Sequence, residues 1–177
     1  ANLLSGPLRS RFGASFKLDY YEVSDIAAIV RRSAEVLGIR VEPEAVALVA
    51  QASRFTPRTA NRLLKRIRDY AQVHHFPLVT AEAAQKTLEL LEVDGQGLEP
   101  HDRRLLQTII EKFHGGPVGI STLAAALNED KGIIEDVYEP FLMSVGLLSR
   151  TPAGRMVTEL GYRHLGIEPP ISKLSLS

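Results

Sequence analysis

A stripe of apolar residues between Pro57 and His75 sets the strongest limit on what this chain can fold into. The stripe follows the i, i+3, i+4, i+7 and i+11 spacing of one helix face: Ala60, Leu63, Leu64, Ile67 and Ala71. Pro57 suits the first turn of a helix, because it has no N–H to donate and its φ is already near the helical value. The segment therefore predicts an amphipathic helix whose apolar face other elements must cover.

Similar patterns on both sides of this helix predict a four-helix unit over residues 22–94. One helix begins with Ser24 as its N-cap and ends at Gly38, and the next begins at Pro43. Pro77 ends the third helix, and Thr80 caps the fourth. In front of them, residues 15–21 alternate apolar and polar side chains, which predicts a strand with one buried face. Tyr20 is predicted to be a core residue on that face.

The second half of the chain predicts three helices followed by a hairpin. Residues 94–97 contain two glycines and indicate a flexible boundary. Helices are predicted over residues 100–113, after the cap Ser121 to residue 127, and over residues 132–145. Two apolar pieces, 147–150 and 155–158, are joined by a turn; this hairpin is called the wing. Helix, helix, helix and hairpin is the winged-helix order, with a last helix predicted over residues 159–165.

Composition excludes several classes of protein. The 177 residues suit two small domains, and 45% hydrophobic with 24% charged residues is ordinary for a globular protein. No apolar run approaches the roughly 20 residues that span a bilayer, and residues 1–4 lack a signal-peptide pattern. The absence of cysteine excludes disulfides and fits the cytoplasm. Because the net charge is zero, any DNA contact must come from a few well-placed arginines.

Two arginine-containing segments suit recognition of a nucleotide phosphate. Arg9 and Arg11 lie in Pro-Leu-Arg-Ser-Arg-Phe-Gly at residues 7–13, and Arg58 follows Thr56 and Pro57 in the first turn of a helix. A guanidinium is planar and forked, so it can bind phosphate oxygens with two hydrogen bonds. No Gly is followed by Lys anywhere in the chain, which excludes the phosphate loop G-x-x-x-x-G-K-[ST]. We therefore expect no ATP hydrolysis by this chain alone.

Several motifs in one order carry a resemblance to a known family. They are residues 7–13, Thr56-Pro57-Arg58 with residues 60–63, residues 115–119, residues 135–140, and Arg150-Thr151-Pro152 with Gly154-Arg155. Through them residues 4–170 resemble the C-terminal part of the RuvB family, which are hexameric AAA+ motors that drive branch migration of Holliday junctions. Any one of these motifs alone would be a weak indication.

The resemblance implies a mainly α fold with an AAA+ helical lid followed by a winged-helix domain. Residues 1–21 would be a remnant of the large ATPase domain, residues 22–94 the lid, residues 95–170 the DNA-binding domain and residues 171–177 a loose tail. The implied function is that of the C-terminal portion of an ATP-dependent DNA motor in recombination and repair. ATP and Mg²⁺ would serve the intact protein, with neither expected on this chain alone. The implied partners are duplex DNA at Holliday junctions, RuvA, RuvC and identical subunits of a hexamer.

The resemblance also implies roles for residues at the nucleotide. Arg11 matches the arginine finger, which reaches the γ-phosphate bound by the neighbouring subunit. Arg58 matches the second sensor arginine, which contacts the γ-phosphate within its own subunit, and Tyr21 matches a residue lining the nucleotide site. Phe55 departs from the family, because it stands where a glycine is usual.

On the DNA side, Arg150 and Arg155 match residues that touch the DNA backbone, and Lys131 is a weaker match to a third contact. Ala153 replaces a usual arginine at the tip of the wing. The helix predicted over residues 132–145 would expose three carboxylates that repel phosphates: Glu135, Asp136 and Glu139. DNA contact is therefore expected at the wing, where backbone contacts position a protein without reading sequence.

Two other classes of protein stay open at this stage. A winged-helix transcriptional regulator without ATPase activity would use the first half for dimerisation or effector binding. Another AAA+ machine, such as a clamp loader subunit, would have a collar domain in place of the wing. No metal site is expected, because His74 and His75 have no third ligand at a suitable spacing.

Overall fold

The computed structural model describes residues 20–170. Arg11 and most of the strand predicted over residues 15–21 lie outside the described residues, as does the tail predicted at 171–177. Of the predicted strand, Tyr20 and Tyr21 are described and have no strand structure. Tyr20 is 48% exposed, so the expectation that it is a buried core residue is wrong.

The first unit is a group of helices around one apolar core. Its helices are α1 (Val23–Val36), α2 (Pro43–Gln51), α3 (Pro57–Val73) and α4 (Ala81–Leu90). All members of the apolar stripe on α3 are buried, as its periodicity predicts: Ala60, Leu63, Leu64, Ile67 and Ala71. They pack with residues of the other helices, among them Ile26, Val49 and Leu88.

The caps of this unit follow local chemistry, with one correction. The Thr56 hydroxyl accepts a hydrogen bond from the N–H of Thr59, and Thr80 does the same for Ala83 at 3.1 Å. Ser24 is not the cap of α1. The helix begins two residues earlier, because Glu22 has extended backbone angles and its carbonyl accepts a hydrogen bond from the N–H of Ile26 at 3.1 Å.

The second unit has its own core and ends in the predicted hairpin. Its elements are α5 (Pro100–Phe113), α6 (Ile120–Leu127), α7 (Lys131–Ile133), a π-helical turn (Ile134–Tyr138), α8 (Glu139–Ser144), β1 (Leu148–Thr151), β2 (Gly154–Val157) and α9 (Glu159–His164). The N-cap of α6 is Gly119, so Ser121 lies inside the helix and caps nothing. The mainly helical fold class is confirmed.

The helix predicted over residues 132–145 is interrupted by the π-helical turn. The N–H of Glu139 donates to the carbonyl of Ile134, five residues earlier. Pro140 explains the change of register, because it has no N–H to donate and its ring clashes with the carbonyl four residues earlier in a regular helix. The turn therefore alters which side chains face the core beyond this point.

The wing is an antiparallel hairpin in which Arg150 lies opposite Arg155 and Thr151 opposite Gly154. Val118 pairs with Arg155 on the other side, with both backbone hydrogen bonds at 2.9 Å. The order of three helices and a hairpin is confirmed. The pairing of Val118 with Arg155 attaches the hairpin to the segment that precedes α6.

The boundary between the units is more ordered than its glycines predict. Oδ1 of Asp94 accepts hydrogen bonds from the N–H groups of Gln96 and Leu98, both at 2.9 Å, and Leu98 is fully buried. A Cβ on Gly97 would lie 2.7 Å from the carbonyl oxygen of Ala52 in the first unit. The two units therefore touch directly at the boundary. No helix within residues 20–170 is both long and apolar enough to cross a membrane.

Gly154→Ala should destabilise the second unit by about 1 to 3 kcal/mol, the cost of strained backbone and close contact. Gly154 has a φ of 139°, and an added Cβ would meet the backbone of Val118. Gly95→Ala is the matched control, since nothing lies within 4 Å of its Cβ position. Urea unfolding followed by circular dichroism measures both, and equal midpoints would contradict the prediction.

Candidate functional site

The wing presents one of its two arginines to solvent. The side chain of Arg150 is 56% exposed, and its Nη2 lies 3.6 Å from Oε1 of Glu135. Residues directly opposite in an antiparallel pair share one face of the sheet, so Arg150 and Arg155 project on the same side. The exposed guanidinium of Arg150 is within reach of a phosphate outside the protein.

Arg155 is committed to an ion pair inside the second unit. Its Nε lies 2.6 Å from Oε1 of Glu139, and its Nη2 lies 2.7 Å from Oε1 of Glu135. The exposed fractions of the side chains are 7% for Arg155 and 1% for Glu139. The hydrogen bond with Glu139 is the main cause that raises the pKa of Arg155. This arrangement argues against Arg155 as a contact for a DNA phosphate, since the guanidinium would first have to leave both carboxylates.

The sequence predicts that all three carboxylates of the helical segment are exposed, but the structure exposes only some of them. Glu139 is buried, and the prediction is wrong for this residue. The π-helical turn and Pro140 place it towards the wing, where it neutralises Arg155. Glu135 is partly exposed between the two arginines, and Asp136 is exposed. Negative charge on the outer face of this segment still opposes an approach of DNA there.

Lys131 is exposed and is the first residue of α7. Asp130 caps this short helix by accepting a hydrogen bond from the N–H of Gly132 at 2.7 Å. Lys131 is therefore placed at the start of the segment that ends in Glu139, on an exposed turn.

Arg58 is the second residue of α3 and is exposed. It borders an open cleft of about 430 Å³ between the two units, whose lining includes Tyr20, Arg54, Thr56, Arg62, Glu99 and His101. It also borders a second cleft of about 500 Å³ along the basic face of α3. An exposed guanidinium beside the first N–H groups of a helix suits an anion.

Tyr21 follows Tyr20, which lines this cleft, and Tyr21 is 49% exposed. Its backbone N–H donates to the carbonyl of Phe55 at 3.3 Å. Tyr20 packs on Phe55, with 6.3 Å between the ring centroids. The segment that precedes α1 is thus fixed against the loop before Arg58.

Sequence reasoning missed the role of Arg54 in this region. The side chain of Arg54 lies between the two units, beside Asp102 and Phe141. Its position before Thr56-Pro57-Arg58 gives no signal of its own, because nothing in the local pattern shows which distant residues meet there. Within residues 20–170, no group of three or more His, Cys, Asp or Glu side chains could hold a metal ion.

Comparisons with known proteins agree with this architecture. Residues 21–94 match the family described as the RuvB AAA lid domain, and residues 95–166 match the RuvB C-terminal winged helix domain. The Holliday junction branch migration complex subunit RuvB of Koribacter versatilis is 51% identical over 176 residues, which are 99% of this chain and 49% of that protein.

Solved structures give the same result. The Thermotoga maritima RuvB Holliday junction branch migration motor matches with a TM-score of 0.92 at 45% identity, covering 96% of this chain and 57% of that one. A mutant of Thermotoga maritima RuvB matches with a TM-score of 0.91 at 45% identity, covering 96% and 56%. The chain therefore spans about half the length of the relatives it matches.

Glu139→Gln should lower the free energy of unfolding of the second unit by about 3 to 5 kcal/mol, because it leaves the buried Arg155 without its main counter-charge. Glu159→Gln is the control, since Glu159 pairs with Arg163 on the surface and such pairs contribute about 0 to 1 kcal/mol. Chemical denaturation of both variants measures the difference. Similar losses would show that the Glu139 pair has no special role.

Proposed function

This chain belongs to the RuvB family, whose AAA lid and C-terminal winged-helix domains it carries, and we propose that it is the C-terminal part of an ATP-dependent motor that drives branch migration of Holliday junctions. The observation that carries the proposal is the exposed Arg150 on the wing of a chain with this lid. The motor would act in recombination and DNA repair in the cytoplasm. Its partners would be duplex DNA at four-way junctions, RuvA and RuvC, and it would work as a homo-hexamer.

Arg58, Tyr21 and Arg11 are proposed to complete the nucleotide site. The exposure of Arg58 in the first turn of α3 supports a contact with the γ-phosphate bound by its own subunit. Tyr21 is placed beside the same loop and would line the nucleotide. Arg11 would act in trans as the finger, a role that in phosphoryl transfer is worth roughly 1,000-fold to 100,000-fold in rate.

ATP and Mg²⁺ fit this chain only in part. The guanidinium of Arg58 suits a phosphate, whereas the described residues offer no carboxylate cluster for the metal. The intact motor would therefore bind Mg²⁺ and most of the nucleotide through other residues. Hydrolysis of ATP belongs to the intact enzyme, and this chain alone would be inactive.

Arg150 and Lys131 are proposed as contacts to the DNA backbone. Arg150 is exposed on the wing, and Lys131 is exposed at the start of α7. Arg155 supports the wing from inside through Glu139. Contacts of this kind bind any duplex, which suits a motor that moves along DNA of every sequence.

The alternative of a transcriptional regulator is not favoured. Glu135 and Asp136 lie where such a protein would read bases, and the first unit matches a motor lid. A clamp loader subunit is not favoured either, because a winged-helix domain follows the lid.

Arg150→Ala should weaken binding of the motor to duplex DNA to a similar degree for all sequences. It should also reduce the slope of log affinity against log salt by about 1, the contribution of one phosphate contact. Lys86→Ala is the control, because Lys86 is exposed on α4 and pairs there with Glu82. Fluorescence anisotropy at several salt concentrations measures both. A loss confined to one sequence would contradict a backbone contact.

Addition of this chain to a full-length relative that lacks its own finger should restore ATP hydrolysis, because Arg11 would reach the neighbouring subunit. Arg11→Ala in the added chain should remove the gain. Phosphate release measures the rate, and co-sedimentation must show that mixed assemblies form. Equal rates with and without Arg11 in such assemblies would refute the trans role.

A further inference from the structure

The loop that joins α2 to α3 contacts the second unit at two places. Arg54 and Phe55 in this loop have φ angles of 55° and 56°, in the left-handed region that few non-glycine residues adopt. Bulky residues in this conformation are strained, and they persist where the surrounding contacts hold them. The contacts of Arg54 and Phe55 with α5 and α8 supply that restraint.

Arg54 reaches a carboxylate that is fully withdrawn from water. Its Nη2 lies 3.3 Å from Oδ1 of Asp102, and the exposed fractions of the side chains are 14% and 0%. Oδ2 of Asp102 accepts a hydrogen bond from the N–H of Glu99 at 2.9 Å, at the start of α5. Burial raises the pKa of the Asp102 carboxyl, while the hydrogen bond from Glu99 and the Arg54 guanidinium lower it. A residue of the first unit thus compensates a buried charge of the second.

The same guanidinium lies on an aromatic ring of α8. Its Cζ is 4.1 Å from the ring centroid of Phe141, and this attraction is strongest where water is excluded. The ring of Phe55 lies 6.4 Å from that of Phe141 at an interplanar angle of 50°. Phe141 is 3% exposed, so the loop is seated against a residue of the second core.

Another polar contact between the units is much more exposed. Arg62 and Glu99 lie 2.8 Å apart, but their side chains are 57% and 23% exposed. Exposed ion pairs contribute little, because water screens them and both side chains lose freedom. Of these two contacts, the Arg54 contact is therefore the better candidate for fixing the relative orientation of the two units.

Both sides of the Arg54 contact lead to residues with proposed roles. Arg58 follows Arg54 by four positions and the Thr56 cap by two. In α8, Glu139 precedes Phe141 by two positions and pairs with Arg155 of the wing. Contiguous packed side chains of this kind can carry energetic coupling between distant sites.

We infer that Arg54 is a positioning residue, which fixes the second unit against the loop that leads into Arg58 so that this loop and α8 move together. A movement of the Arg58 turn when nucleotide changes would then reach the wing. The nucleotide part of this inference rests on the proposed function, whereas the positioning of the two units does not.

Distances between spin labels test the positioning directly. The chain has no cysteine, so Val36→Cys and Leu160→Cys provide the only labelling sites, one in each unit. The side chain of Val36 is 80% exposed and that of Leu160 is 58% exposed. Double electron–electron resonance should give one narrow distribution of the distance between the two labels in the otherwise unchanged chain. Arg54→Ala should broaden it, whereas Arg68→Ala should leave it unchanged, because Arg68 pairs with the adjacent Asp69 on α3.

Two further variants control for misfolding of Arg54→Ala and for the role of the Asp102 charge. Arg54→Met keeps a long side chain on Phe141 without the charge, and it decides the question if Arg54→Ala does not fold. Asp102→Asn removes the other charge with little change of volume, and it should broaden the distribution less than Arg54→Ala does, because the contact of Arg54 with Phe141 remains. Unchanged distances in the folded Arg54 variants overturn the inference.

A nucleotide-dependent measurement distinguishes coupling between the nucleotide site and DNA binding from a purely structural role of Arg54. In a full-length protein that carries this chain, the ratio of DNA affinities with a non-hydrolysable ATP analogue and with ADP should fall at least about fivefold in Arg54→Met, the smallest factor typical of coupled sites. A broadened distance distribution with an unchanged ratio refutes the coupling. If the unaltered protein shows no nucleotide dependence, the proposed function fails, and the distances alone decide the positioning role.

Discussion

A carboxylate and a guanidinium withdrawn from water hold the second unit in its shape. Glu139 and Arg155 cannot separate without leaving a buried charge unpaired, which costs far more than breaking an ion pair at the surface. The pair ties β2 to α8 and so fixes the whole wing. Because Arg155 is occupied in this way, Arg150 opposite it is the guanidinium left at the surface of the described hairpin.

Much of the fold is predictable from local pattern. The stripe on α3, the caps Thr56 and Thr80, and the hairpin turn before Gly154 each depend on residues close together in sequence. The start of α1 is not predictable in this way, since Ser24 is a good cap by type while the backbone already turns at Glu22. The boundary between the units is also not predictable from its composition. Its glycines predict flexibility, but the burial of Leu98 orders this stretch.

The candidate site is predictable only as far as chemistry is local. The resemblance and the helix start both point to Arg58, which the structure leaves exposed beside a cleft. The sequence does not show that Arg155 is buried, because that depends on a change of helix register at Pro140. The φ of 56° at Phe55 lies in the left-handed region that favours glycine, the residue that the resemblance leads us to expect there. The ring of Phe55 offsets the strain of this conformation through contacts with Tyr20 and Phe141.

The small number of outward guanidinium groups on the described wing has a consequence for how the proposed assembly would hold a duplex. A single copy would have a weak hold that weakens further with ionic strength. Once one copy of a ring is engaged, the duplex is confined near the others, and the effective concentration strengthens the whole attachment. Avidity of this kind would let each subunit of the proposed ring release and rebind in turn while the ring stays on the duplex.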